Sequence, residues 1–188
     1  MSIPRSRDKC LVLGLGKSAS EAQDLSRFFT VGVNDVARFH HTPDILLILD
    51  KPSRFTEERL KFISMTQPKE AAFVYYMDAW SRYLKDAPLR SIKTTKFNPN
   101  GLIYTDQVYH YRTSPFAAMS LAVTWGFDKV GILGVDLLDD HHMGRLAKDI
   151  ARMFDLFAAE VMLKRGVKIV NCSPVSRLTL PYQDLEGF

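Results

Sequence analysis

Apolar and polar positions along this chain fall into two alternating patterns: short unbroken aliphatic runs, and longer stretches whose apolar residues recur at helical spacing. Cys10 to Leu13 form the first run, closed by Gly14. Ser18, with Glu21 three residues on, has the form of a capping box and predicts a helix from there to about Phe28. Thr30 to Val33 and Ile45 to Leu49 read as the second and third strands, the latter apolar throughout and so covered on both faces. A helix carrying Phe55, Leu60 and Ile63 leads to a fourth strand over Ala72 to Tyr76. The alternation breaks there and resumes with a helix from about Pro115 to Trp125 and a strand over Val130 to Leu133. A long helix from about Leu146 to Lys164, capped by Gly166, precedes a last strand over Val167 to Val170. This order predicts an α/β fold: a Rossmann-like, doubly wound, mostly parallel sheet in a single domain over 1–188.

The break, about 77–111, is rich in Tyr, Trp, Lys, Asn and Pro and shows no sustained period. A connection of that length reads as a long irregular insertion, of the kind that serves as a lid or binding segment or holds small elements of its own. At 188 residues the chain is long enough to bury a full core without metal or disulfide staples. Its net charge of +4 and pI of about 9.1 suit a phosphorylated ligand, a nucleic acid or an anionic glycan. No Lys/Arg-rich block is present, which argues against a dedicated nucleic-acid module. Cys10 and Cys172, at the start of one strand and the end of another, read as buried thiols of a reducing compartment rather than nucleophiles. The first residues lack a signal-peptide run, and no stretch approaches the roughly 18 apolar residues of a membrane span. A cytoplasmic protein without a transmembrane segment is expected.

Candidate chemistry gathers at the ends of the predicted strands, where open α/β sheets bind ligands. Gly14-Leu15-Gly16-Lys17-Ser18 follows the first strand and would bring backbone N–H groups to a phosphate at a helix start, or make only a tight turn. It is not a P-loop, because Leu11 stands where the earlier glycine is required. On the phosphate reading, a side chain at Gly16 should weaken binding and spare the fold. Asn34 and Asp35 end the second strand, as base or ribose contacts or as turn residues. Asp50 ends the third strand, as a ribose or metal ligand or a turn cap.

Thr113 and Ser114 precede a helix whose free N–H groups would attract an anion, while one hydroxyl caps it. Asp136, Asp139, Asp140, His141 and His142 form the densest polar cluster. The histidines there suit a general base better than a zinc site, while a divalent ion on Asp136 and Asp139 stays open. His40-His41 reads as a solvated loop.

Taken together, these motifs resemble, in order, the bacterial CMP-sialic-acid sialyltransferases. The resemblance lies in Gly14-Leu15-Gly16-Lys17-Ser18, the strand end Val31-Gly32-Val33-Asn34, and Thr113-Ser114 before an Ala-rich helix ending in Trp125-Gly126. It continues through Gly134-Val135-Asp136-Leu137, His141-His142-Met143-Gly144, and the closing Val167 to Leu178 with Asn171-Cys172-Ser173-Pro174. The same outline is shared with related glycosyltransferase-like proteins and with hydroxymethylpterin diphosphokinases.

The resemblance implies a glycosyltransferase with a nucleotide-sugar donor, CMP-linked by preference, and a glycan or modified nucleic-acid base as acceptor. It places donor binding on Gly14, Gly16, Lys17, Ser18, Asn34, Asp35, Thr113, Ser114 and Ser173. Catalysis falls to His142 or His141 with Asp136, His142 preferred. Where the family carries lid tyrosines, Tyr104, Tyr109 and Tyr111 are the candidates here. No cofactor is expected. The alternative, ATP-dependent pyrophosphoryl transfer to a pterin-like alcohol, would need Mg²⁺ on Asp136 with Asp50 or Asp139. A non-catalytic nucleotide-binding module and a homo-oligomer are also left open.

Overall fold

A computed structural model describes residues 8–39, 41–104, 106–137 and 144–188. Among them, seven strands form one sheet: β1 (Lys9–Leu13), β2 (Phe29–Val33), β3 (Ile45–Ile48), β4 (Ala71–Val74), β5 (Leu89–Ser91), β8 (Lys129–Leu133) and β9 (Lys168–Asn171). Their order across the sheet is β5-β4-β3-β2-β1-β8-β9, and every ladder is parallel. The chain winds outward from β1 to β5, then returns to lay β8 and β9 on the other side of β1. The gap between the carboxyl ends of β1 and β8 is thus the point where winding reverses, and there a doubly wound sheet opens its crevice.

Successive strand residues alternate between two cores. Cys10, Val12, Val31, Val33, Leu47, Phe73, Val130 and Ile132 face a layer holding α4 (Ser114–Thr124) and α5 (Gly144–Arg165). Leu11, Leu13, Leu46, Ile48, Val74 and Leu133 face the other core, with Ala19 of α1 (Lys17–Glu21), Ile63 of α2 (Glu57–Met65) and Trp80 of α3 (Met77–Trp80). Period-two alternation with both faces apolar is what a parallel sheet covered by helices requires. Residues Phe116 to Val123 of α4 are buried throughout, which lets that helix cross β2, β1 and β8 at van der Waals distance. Gly166, at φ +70°, ends α5 as expected, its N–H donating to Met162 O at 2.9 Å. Among the described residues no helix is long and apolar enough to cross a membrane.

Two expectations need correction. The first helix does not run to Phe28 but stops at Glu21. Asp24 lies at φ +45°, and its carboxylate accepts from the N–H and hydroxyl of Ser26, a local turn that competes with the helix. Nor does Ser18 cap that helix: the N-cap is Gly16, without a side-chain bond, and Glu21 pairs with Lys17 at 3.3 Å. The insertion holds small elements of its own. It carries α3, the edge strand β5, and a separate parallel pair, β6 (Thr95–Lys96) with β7 (Tyr109–His110).

Candidate functional site at the winding reversal

The loops after β1 and β8 are joined backbone to backbone. Gly14 N–H donates to Leu133 O and Gly16 N–H to Gly134 O, each at 2.7 Å. Such an approach excludes side chains. A Cβ on Gly14 would lie 2.2 Å from Gly134 O, and one on Gly16 would lie 2.4 Å from Asp136 Oδ2. These glycines therefore serve loop-to-loop packing. The geometry argues against the expectation that a side chain at Gly16 would spare the fold, because Asp136 fills the space.

Asp136 is buried, and its carboxylate is the hub of the junction. Ser18 Oγ and Ser173 Oγ each donate to Oδ1 at 2.6 Å, and Ser18 N–H donates to Oδ2 at 3.1 Å. Ser18 Oγ in turn accepts from Gly134 N–H at 3.0 Å. One carboxylate thus ties together the chain ends beyond β1, β8 and β9. Donors on both oxygens satisfy a buried charge. Gly14, Gly16, Ser18 and Ser173, nominated as ligand contacts, build this joint. Among the described residues, the loop amides left without a protein acceptor are those of Leu15 and Lys17.

Beside the joint lies a cleft of about 310 Å³, near the lower end of the range for small-molecule sites. It is walled by residues 15–17 after β1, Val33 and Asn34 ending β2, Thr113 and Pro115 at the start of α4, and residues 134–137 after β8. Asn34 has φ +51°, a conformation asparagine tolerates, and its N–H donates to Leu47 O at 3.1 Å. Its side-chain oxygen is buried without a hydrogen-bond partner. An acceptor left so costs on the order of 1–3 kcal/mol, which the side chain would recover only by turning toward a donor in the cleft.

Lys17 stands at the cleft's rim, well exposed. Thr113 caps α4, its hydroxyl accepting from Phe116 N–H at 3.4 Å, while Ser114 is buried in the first turn. Thr113→Ala should accordingly cost about 1 kcal/mol in a urea melt, and Ser114→Ala less. Equal losses at both positions would mean that the cap is shared.

The remaining candidates lie elsewhere. Asp35 is fully buried and held by Arg59, through Nε at 3.0 Å and Nη2 at 2.6 Å, with Arg38 at 3.5 Å. It braces the turn that carries Asn34 and does not line the cleft. Tyr109 buries its ring and accepts from Tyr104 N–H at 2.7 Å, Tyr111 donates to Asp149 at 2.6 Å, and none of the three candidate tyrosines lines the cleft. Asp136 and Asp50 are not brought together for a metal ion, since β3 and β8 are three strand spacings, about 14 Å, apart. Asp139, Asp140, His141 and His142 lie outside the described residues, as does His40. His41 is half-buried rather than solvated, with Nε2 2.7 Å from Ala19 O. Both thiols are buried, and burial pushes that of Cys172 up to about 12, which makes it a poor nucleophile.

A parallel doubly wound sheet with its cleft at the switch point defines a Rossmann-like α/β fold. No protein-family model matches the chain, and no curated protein matches it in sequence. Solved structures do match in fold. A variant of the alpha-2,3/8-sialyltransferase CstII aligns with TM-score 0.53 at 16% identity, over 96% of this chain and 88% of that one. CstII from Campylobacter jejuni in complex with the substrate analogue CMP-3FNeuAc gives 0.52 and 15%, over 96% and 87%. A CST-II complex with a trisaccharide acceptor and CMP gives 0.51 and 13%, over 96% and 88%. The chain has a sialyltransferase-like fold.

Proposed function

We propose that this protein is a glycosyltransferase that takes a sugar from a nucleotide-activated donor, CMP-linked by preference, and passes it to an acceptor hydroxyl. The observation that carries the reading is a switch-point cleft lined by Asn34, whose buried side-chain oxygen has no partner and would gain one by turning toward a ligand there. A nucleoside supplies what it lacks: ribose hydroxyls and, in cytosine, an amino group. The phosphate would meet the Leu15 and Lys17 amides and the Lys17 ammonium, and the start of α4, which borders the cleft at Thr113 and Pro115, would favour the donor's anionic end. Likeness in fold to enzymes solved with CMP and a CMP-sugar analogue supports the same reading.

Transfer then needs donors that stabilise the departing phosphate and a base for the acceptor proton. The sequence nominates His142 or His141 as that base, on the connection that leaves β8. The acceptor would be a glycan or a hydroxylated nucleic-acid base.

Calorimetry with CMP tests the donor site. Asn34→Gly keeps the left-handed backbone and removes the stranded oxygen. Stability of the free protein should not fall, since the unmatched acceptor is gone, while CMP affinity falls roughly three- to tenfold, the worth of one hydrogen bond. Unchanged CMP affinity in the variant would take Asn34 out of the site. A thermal-shift response to ATP with none to CMP would overturn the choice of nucleotide.

A further inference from the structure

Two guanidinium groups and one carboxylate tie together the two walls of the cleft that follow β1 and β2. Asp35, the residue after Asn34, gives its Oδ1 to Arg59 of α2, which holds it through Nε at 3.0 Å and Nη2 at 2.6 Å. Its other oxygen, Oδ2, lies 3.5 Å from Nη1 of Arg38. Nη2 of Arg38 reaches across to the opposite wall and donates to Leu15 O at 2.9 Å. The guanidinium rests 4.6 Å from the centroid of the Phe39 ring, a stacked contact that favours one orientation of its plane. One side chain thus spans the loop after β1 and the turn after β2, both of which carry cleft residues.

The bond to Leu15 O bears on how that loop presents its polar groups. A trans peptide points its C=O and N–H in opposite directions. Between Leu15 and Gly16, the N–H donates to Gly134 O at 2.7 Å and the C=O accepts from Arg38, so both ends of this peptide are held. Arg38 is the one donor to that carbonyl among the described residues, and it stands outside the cleft's lining. Backbone amides hold an anion where they converge on it and the neighbouring carbonyl oxygens, which carry partial negative charge, are turned away. The Leu15 and Lys17 amides flank this peptide and have no protein acceptor. Two guanidinium groups against one carboxylate also leave this wall net positive.

We propose that Arg38 is a positioning residue for the donor's phosphate: it keeps the Leu15 carbonyl turned out of the cleft, so that the Leu15 and Lys17 amides meet the anion. The proposal rests on the donor reading above and names the residue that sets the phosphate end of that site. Arg38 acts through Leu15 and touches no reacting atom. Losing it leaves the nucleoside end in place, because Asp35, which braces the Asn34 turn, keeps both bonds to Arg59. The two ends of the site should therefore respond separately.

Calorimetry with CMP and with cytidine, which lacks the phosphate, provides the test. In Arg38→Ala, CMP affinity should fall roughly five- to twentyfold while cytidine affinity stays within about twofold of wild type. Arg38→Lys keeps the charge but cannot hold two acceptors in one plane, so its CMP affinity should fall about three- to fivefold, again with cytidine unchanged. The lysine variant decides the matter alone where the alanine variant does not fold. A residue that only braced the fold would weaken both ligands alike, so equal losses for CMP and cytidine overturn the inference. CMP affinity within about twofold of wild type in the folded variants overturns it as well. A wild-type protein that binds neither CMP nor cytidine overturns the donor reading itself, and this inference with it.

Discussion

Gly16→Val is expected to destabilise the protein by about 3–5 kcal/mol, a large share of the roughly 5–15 kcal/mol that holds a domain folded. The reason is steric before it is chemical. A Cβ on residue 16 would lie 2.4 Å from Asp136 Oδ2, 2.6 Å from its Cγ and 2.9 Å from Gly134 O, and valine adds two methyl groups beyond that. Overpacking a tight site costs about 1–3 kcal/mol. Relief by moving Asp136 would also strand the Ser18 and Ser173 hydroxyls, which have no other acceptor at the joint, at a further cost of about 1–3 kcal/mol. The urea midpoint should fall with the slope unchanged. A variant that melts within about 1 kcal/mol of wild type, yet no longer binds CMP, would return Gly16 to the role of a phosphate cradle.

That result would separate what the chain shows locally from what it shows only when folded. The central strands were legible because Leu11 to Leu13, Ile45 to Ile48 and Val130 to Leu133 are apolar on both faces, as a covered parallel sheet demands. Strand β5 was not, because Leu89–Ser91 is a three-residue edge strand with two exposed residues. It offers neither an apolar run nor an alternation. The first helix was overdrawn because Ala22 to Arg27 has no breaker by composition, yet the backbone turns extended at Ala22, ahead of the left-handed Asp24 turn.

The site shows the same division. Asn34, Thr113 and Asp136 stood out because polar residues ending apolar strands or opening a helix are visible in one dimension. Their partners are not. Ser18 satisfies a local capping pattern, yet its hydroxyl serves a carboxylate 118 residues away. Ser173 reaches the same carboxylate across 37 residues.

Substitutions at Asp136 should tell a positioning carboxylate from a reacting one, and the two outcomes are far apart. Asp136→Ala removes the acceptor for two buried hydroxyls and for the Ser18 N–H. Hydrogen bonds to a charged group contribute about 1.5–3 kcal/mol each, and buried donors left unmatched add to the loss, though the terms overlap. A net cost of about 3–5 kcal/mol follows, the range seen when one partner is removed from a buried charged network. Asp136→Asn keeps an oxygen for Ser18 Oγ and Ser173 Oγ but turns an NH₂ toward the Ser18 N–H, a conflict confined to one contact. It should cost about 1–3 kcal/mol, and where the variant is folded it should release CMP from a CMP-sugar within about tenfold of wild type. A carboxylate that itself moved the proton would instead lose roughly 10²–10⁴-fold on conversion to the amide, with little change in stability. Turnover and urea melts of the one variant therefore decide the matter: loss of turnover in a stable Asp136→Asn protein would make Asp136 catalytic. Retained turnover in a weakened one would leave it as the clamp joining the loops after β1, β8 and β9.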